Sequence, residues 1–365
     1  MSQDIDRQRE ALQGSLLGLM VGDAIGLPCE GIGPKRVARL FPGPLRHRLF
    51  FGKGMTSDDS EHAAMTAAAL ARYGSDVEQF ARNLAWRLRW WLARLPAGVG
   101  LATGRAIIKL WLGFPARRSG VWSAGNGPAM RAPIIGVALG AEPETLLAYL
   151  RASTELTHRD PKALVGAIAA ARAAYLAALG QVEIAAYKSD LQRFFTQLEP
   201  STATKAAVSE FNTLLDSLDV ALQQGLTPAQ FAQQLGLERG VTGYMYHTMP
   251  IVLYVWLQHQ TDYAAGIAQI VALGGDTDTT AAILGGILGA GAGEKGIPAS
   301  WLQGIWDWPF NPDYFRGLAE RVDLAIRSGE TVRTPFLPGP LLLLRNLAFL
   351  VIVLWHGFRR LAPPY

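Results

Sequence analysis

The chain has 365 residues, half of them hydrophobic and 18% charged, which provides for a large core and excludes wholesale disorder. Lys and Arg exceed Asp and Glu by 34 to 30, a net charge of +4. That excess reads as diffuse, and with no zinc finger, RNA-binding aromatic motif or long basic helix it argues against a nucleic-acid module. One cysteine, Cys29, excludes an intrachain disulfide framework and any Cys-rich metal site. It fits a reducing, cytoplasmic setting, and the polar N-terminus MSQDIDRQRE does not read as a secretory signal.

Most of the chain reads as helix. Leu12, Leu16, Leu19 and Met20 give an apolar face that ends at Gly22-Asp23. His62 to Arg72 is Ala-rich and helix-favouring. Gln79 to Leu95 sets Phe80, Leu84, Leu88 and Trp91 among Arg82, Arg87, Arg89 and Arg94, a basic amphipathic helix. Asp160-Pro161 opens a run to Leu179, with Pro161 suited to the first turn. Val182 to Leu198 and Lys205 to Gln223 follow, then a helix after Thr227-Pro228 with Thr227 as its cap. Tyr246 to Gln260, Ala264 to Leu273 and Thr279 to Ala292 complete the set, the last so rich in Gly and Ala that it admits close neighbours. Convincing alternating strands and fixed-period repeats are absent from the sequence.

One helical domain over 8–333 is therefore expected, followed by a Pro-rich linker and apolar segment over 334–365. Within that segment, 341–358 has 18 residues, the short edge of a bilayer span, and it carries Arg345 and His356 inside it. A true span, docking on a membrane surface or a partner, and packing on the chain's own surface are all open; Arg359-Arg360 would suit anionic headgroups.

Several short phrases carry chemistry. Met55-Thr56-Ser57-Asp58-Asp59-Ser60-Glu61 places adjacent carboxylates at the start of an Ala-rich helix. Such a pair is costly unless it faces solvent, holds protons or coordinates a cation; capping by Ser57 is the plainer alternative. Gly274-Gly275-Asp276-Thr277-Asp278-Thr279 offers two acids and interleaved hydroxyls from one turn, hard oxygen donors that suit Mg²⁺ or Mn²⁺. Two such helix starts in one weakly charged chain make a shared two-cation site the better reading. Glu30 follows an apolar bend where partial burial would raise its pKa, and Asp23 reads as a loop organiser. Gly125-Asn126-Gly127 permits a tight turn able to hold phosphate or ribose, with Arg131 reaching either a phosphate or a helix carboxylate. His158 is outside any apolar stripe, and Tyr244 would either stack on a ring or pack in the core. His62 and His247 have no partner spacing that marks catalysis. Neither a G-x-S-x-G elbow nor a G-x-x-x-x-G-K-[ST] loop is present.

The ordered set Gly22-Asp23-Ala24-x-Gly26 with Glu30, Ser57-Asp58-Asp59-Ser60, Gly125-Asn126-Gly127-x-x-Met130-Arg131, Thr157-His158, Gly243-Tyr244 and Gly274-Gly275-Asp276-Thr277-Asp278-Thr279 resembles the ADP-ribosylglycohydrolases. The likeness runs over about residues 10–310. It implies an all-α orthogonal multi-helix bundle and a binuclear Mg²⁺ or Mn²⁺ centre. Ser57, Asp58 and Asp59 match one ligand group and Asp276, Asp278 and Thr279 the other. Glu30 matches an acid with a catalytic or metal-gating role, with Asp58 and Asp278 as further catalytic candidates. Gly125, Asn126, Gly127, Arg131, His158, Gly243, Tyr244 and Gly275 are the expected substrate-binding positions. Ser57 and Ser60 depart from the usual threonines, keeping the oxygen and losing a methyl. The implied reaction is release of ADP-ribose by a monomer from a modified protein, arginine foremost, with nucleic-acid or small-molecule acceptors open. A binding or toxin-immunity protein without turnover is the alternative.

Overall fold

The computed structural model describes residues 2–335 and 337–361, and its described residues form eighteen α-helices with isolated β-bridges in place of strands. In chain order the first nine are α1 (Ser2–Gly26), α2 (Pro34–Leu40), α3 (Asp58–Tyr73), α4 (Val77–Ala93), α5 (Leu101–Trp111), α6 (Ala116–Ser119), α7 (Gly127–Leu139), α8 (Pro143–Glu155) and α9 (Pro161–Leu179). The rest are α10 (Ile184–Phe195), α11 (Thr202–Gln223), α12 (Pro228–Gln234), α13 (Met245–Gln258), α14 (Tyr263–Ala272), α15 (Thr277–Ala292), α16 (Ala299–Gln303), α17 (Pro312–Ser328) and α18 (Gly339–Arg359). The all-α bundle expected from the sequence is present. Helix starts follow the polar caps: Asp160 accepts from Lys162 N at 2.9 Å to open α9, and Thr227 with Gln230 forms a capping box on α12.

At the centre, α1 and α15 run against each other with their backbones in contact. A glycine recurs every fourth residue on α1, and a methyl group at any of the four would overlap a facing carbonyl oxygen of α15. Gly14 meets Gly289, Gly18 meets Gly285, Gly22 meets Ala281 and Gly26 meets Thr277. Tyr263 of α14 hydrogen-bonds Gly18 O at 2.6 Å, and Thr277 Oγ1 donates to Gly26 O at 2.8 Å. Around this pair α7, α9, α3 and α17 complete a single core in which Leu12, Leu16, Ile135, Ile168 and Leu284 are fully buried.

The C-terminal segment lies on the bundle. Leu342, Arg345, Asn346, Phe349 and His356 of α18 are buried, while Leu344, Val351, Trp355 and Phe358 face outward. Among the described residues, three helical stretches have the length and hydropathy of a membrane span: Asp6–Cys29 and Pro161–Leu179 are mostly buried in the bundle, whereas Gly339–Arg359 is 28% buried.

Close packing of α1 on α15 makes its glycines intolerant of volume. Gly18→Val is expected to lower stability by at least about 2 kcal/mol through overpacking, read as a lower urea midpoint. An unchanged midpoint would show that the helices separate freely.

Candidate active site

Loops converge where α1 ends and α15 begins, and single β-bridges join them. Ile32 and Val241 both bridge to Gly275, Gly125 bridges to Tyr244, and Val121 to His158. Gly275 sits at φ +87°, and a Cβ there would overlap the Val241 backbone. Only glycine lets this turn pass between its neighbours. Gly275 N donates to Ile32 O and its carbonyl accepts from Gly31 N, both at 2.8 Å, while Asp276 N donates to Val241 O at 2.7 Å. These bonds bring Glu30 alongside the acids of α15.

The cleft at this junction has a volume of about 510 Å³. Glu30, Asp58, Asp276 and Asp278 contribute its acidic side, with Thr279 beside them. Asn126, His158 and the backbone of Gly125, Gly127, Gly243 and Gly275 also line it, beside Thr103, Ser123 and Met130. The acid pairs thus meet across more than two hundred residues of sequence.

Asp23 on α1 organises the first pair. Its buried carboxylate accepts from Ser57 N at 2.9 Å and from Ser60 N at 3.1 Å, and the Ser60 hydroxyl also donates to it. Ser57 is the N-cap of α3, its Oγ accepting from Asp59 N at 3.4 Å. Capping and carboxylate presentation therefore coexist in one phrase. Thr279 Oγ1 donates to Asp59 Oδ2 at 3.1 Å, linking the two acidic helix starts directly, while Oδ1 of Asp59 and Oδ1 of Asp278 are buried without a partner.

Burial raises the carboxyls of Asp58, Asp59 and Asp278 well above the usual range, and their acidic neighbours add to it: Asp23 foremost for Asp58, Asp58 for Asp59, Glu30 for Asp278. Asp23 is pushed up to about 6 by burial, against the serine hydrogen bonds. Glu30 keeps solvent contact at the mouth, yet its carboxyl is raised by the surrounding protein and then by Asp276, with Arg360 opposing. Such a cluster calls for protons or for positive charge. Among the described residues, no three His, Cys, Asp or Glu side chains converge tightly enough to hold an ion by themselves; the hydroxyls of Ser57 and Thr279 are the additional oxygens at hand.

The opposite wall is neutral. Asn126 Nδ2 donates to Asp276 Oδ2 at 2.7 Å and to Thr248 Oγ1 at 2.9 Å, which fixes its amide. Arg131, one and a half turns further along α7, does not line the cleft. It is fully buried and donates to Ser153 Oγ, Ser153 O and Thr157 Oγ1, the last at 2.8 Å, while Nη1 lies 3.0 Å from His62 Nδ1. Thr157 Oγ1, which accepts from Arg131, lies 2.9 Å from His158 Nδ1, its other described partner, and donation there is what satisfies its hydroxyl proton. His158 then carries its proton on Nε2, beside Gly125 and the cleft. Burial, then Arg131, pushes the imidazole down to about 3, so it is a neutral donor.

Tyr244 stands outside the wall formed by Val241 and Gly243. Its hydroxyl accepts from Lys162 Nζ at 2.8 Å, and its ring meets His247 edge-on. Sequence reasoning missed Arg345. From α18 it ion-pairs with buried Glu61 and Asp307 and donates to Thr56 O at 2.7 Å, one residue before Ser57. The only signal was a charge inside an apolar run.

The chain belongs to the ADP-ribosylglycohydrolase family, whose model matches residues 4–331, and is an enzyme of that type. A protein of Archaeoglobus fulgidus described as uncharacterized is 29% identical over 310 residues, 82% of this chain and 93% of that protein. ADP-ribosylhydrolase ARH3 of Xenopus tropicalis is 28% identical, covering 79% of this chain and 89% of its own length. The ADP-ribosyl-[dinitrogen reductase] glycohydrolase of Rhodospirillum rubrum is 26% identical, covering 80% and 88%. A solved structure titled "ADP-ribosylglycohydrolase-related protein complex" shares the fold with a TM-score of 0.62 at 24% identity, over 87% of this chain and 99% of that one.

Arg345→Met would leave Glu61 and Asp307 buried without their cation and is expected to cost about 3–5 kcal/mol, seen as a lower denaturant midpoint. Adding Glu61→Gln and Asp307→Asn should restore part of that loss; if it deepens the loss instead, the ion pair is not its source. For His158, an NMR titration should find the imidazole neutral down to about pH 5, since the depressed group fails to protonate in the ordinary histidine range; a midpoint near 6.5 would contradict the burial argument.

Proposed function

We propose that the cleft hydrolyses the bond at the anomeric carbon of an ADP-ribosyl group carried on a protein side chain, arginine foremost, with two divalent cations, Mg²⁺ or Mn²⁺. The observation that carries the proposal is the meeting of Asp58-Asp59 with Asp276-Asp278, leaving two buried carboxylate oxygens without partners. Their chemistry fits a hard cation: every donor is oxygen, and burial plus mutual repulsion makes compensating positive charge favourable. Ser57, Asp58 and Asp59 would hold the cations from α3, and Asp276, Asp278 and Thr279 from α15. When bound, they would supply a grip on ribose hydroxyls and an orientation for the attacking water.

The chain's own groups divide the remaining work. Glu30, raised by its neighbours and open to solvent at the mouth, is suited to take the proton of the attacking water or to offset oxocarbenium-like charge. Asn126 has both described amide bonds made through Nδ2, leaving Oδ1 to accept from a ribose hydroxyl. His158 Nε2–H and the N-terminus of α7 at Gly127 offer neutral donors to a diphosphate. Arg131 acts through Thr157 and His158 as a positioning residue. Two relatives whose printed names specify ADP-ribosyl chemistry, one of them on dinitrogen reductase, support an ADP-ribosylated protein as substrate.

The test measures release of ADP-ribose from peptides modified on arginine or serine, and from ADP-ribosylated nucleic acid, with Mg²⁺, Mn²⁺ or chelator. Metal binding is measured separately by calorimetry. Asp58→Asn/Asp278→Asn is expected to lose metal binding and about 10³-fold or more in kcat. Retained ADP-ribose binding with no release from any substrate would favour the binding-protein alternative. Failure of the intact protein to bind either metal would overturn the two-cation reading.

A further inference from the structure

We infer that the outer face of α18, with the cationic loops beside it, is a docking surface for an anionic phospholipid bilayer, on which the protein lies without crossing it. Leu344, Val351, Trp355 and Phe358 recur at helical spacing on one side of α18, and each is more than 60% exposed. Leu341, Leu347 and Leu354 widen the stripe. A folded protein rarely leaves an apolar face of this extent to water.

Charge identifies the occupant. The net +4 is not diffuse. Between Gly31 and Ser57 the chain has six Lys and Arg and no Asp or Glu; from Gln79 through Ala141 it has nine and none, Arg131 alone of the nine being buried; from Thr331 to Tyr365 it has four and none, with Arg345 turned inward. Helix α18 lies between the first two of these segments. His356 stacks on Phe41 at 6.1 Å and Arg36 donates to Arg360 O at 2.6 Å on one side; Asn346 donates to Arg94 O at 2.9 Å on the other. Lys35, Arg39, Arg46 and Lys53 are exposed beside the helix. On the far side Trp86, Trp90 and Trp111 pack edge to face at 5.7 and 5.6 Å with their rings partly in solvent, and Trp86 and Trp90 share a cavity wall with Leu342. Apolar stripe, half-exposed indoles and flanking cations in excess of acids are the composition of a surface seated among anionic headgroups. A second copy meeting the same patch would set these cations against each other.

The inner face shows why the helix lies flat. Along its length Arg345 binds Thr56 O, Asn346 binds Arg94 O, and His356 Nε2 lies 3.0 Å from Pro28 O. Crossing the bilayer would strip these partners and leave Glu61 and Asp307 without their cation.

The experiment floats the full-length protein with vesicles of phosphatidylcholine alone or mixed with phosphatidylglycerol. Wild type is expected to float with the anionic vesicles only, and less at high salt. Leu344→Glu/Val351→Glu/Trp355→Glu should weaken binding about a hundredfold or more. Lys35→Glu/Arg39→Glu/Arg46→Glu, which leaves the apolar stripe intact, should weaken it about tenfold or more. Circular dichroism confirms that each variant is folded. Folded wild type that stays soluble beside anionic vesicles, equal binding to phosphatidylcholine alone, or a vesicle-independent dimer dissolved by the three glutamates would each overturn the proposal.

Discussion

Contact between the backbones of α1 and α15 sets the register of everything at the cleft. Four glycines at every fourth position of α1 face Thr277, Ala281, Gly285 and Gly289, so the two helices interlock like teeth rather than slide. The last tooth, Gly26 against Thr277, is fixed again by the Thr277 hydroxyl on Gly26 O. Glu30 follows Gly26 by four residues, and Asp276 and Asp278 flank Thr277. A slip of one turn, about 5.4 Å, would separate Glu30 from the acids it faces. Side chains that fold the protein here are absent by necessity: the bulk missing from the interface is what allows the acids at its end to meet.

That meeting works against stability. Asp23, Asp58, Asp59 and Asp278 are raised by burial, and each is raised further or constrained by groups around it. The fold answers with local donors. The first turn of α3 presents Ser57 N and Ser60 N to Asp23, at the positive end of that helix. A few residues away, Arg345 balances Glu61 and Asp307 with two buried ion pairs, although Glu61 still adds to the rise at Asp58. Two unpartnered oxygens persist despite these donors, and they point to a site shaped for a ligand rather than for the free protein.

Local features were legible from sequence because their causes are local. The cap at Thr227, the helix opened by Asp160-Pro161, the two acidic helix starts, and the small-residue surface of α15 follow from neighbours within a few positions. The role of Asp23 as a loop organiser was also readable, though its partners Ser57 and Ser60 were not. What escaped depended on rotation and on distance. Arg131 shares a phrase with Asn126, but the turns of α7 between them carry it from the cleft wall into the interior, onto His62, Ser153 and Thr157. Arg345 read as an interruption of an apolar run because its partners lie 284 and 38 residues away. The polarity of the charge was present in the sequence, but only the position of α18 between the basic segments gives it a meaning.

The two walls of the cleft differ in kind, and the difference bears on turnover. One wall is carboxylate-rich; the other offers Asn126, a neutral His158 and the start of α7. Were His158 cationic, it would bind a diphosphate equally in substrate, transition state and product, which adds affinity without adding rate. Burial first, and then the charge of Arg131 at one remove, keeps the imidazole unprotonated, while the Arg131 hydrogen bond to Thr157 leaves the threonine proton for Nδ1. Positive charge at the reacting sugar is then left to whatever the carboxylates recruit. Under the proposed reaction, strong electrostatics is concentrated at the anomeric centre, and the diphosphate is held by neutral contacts that also let the product leave.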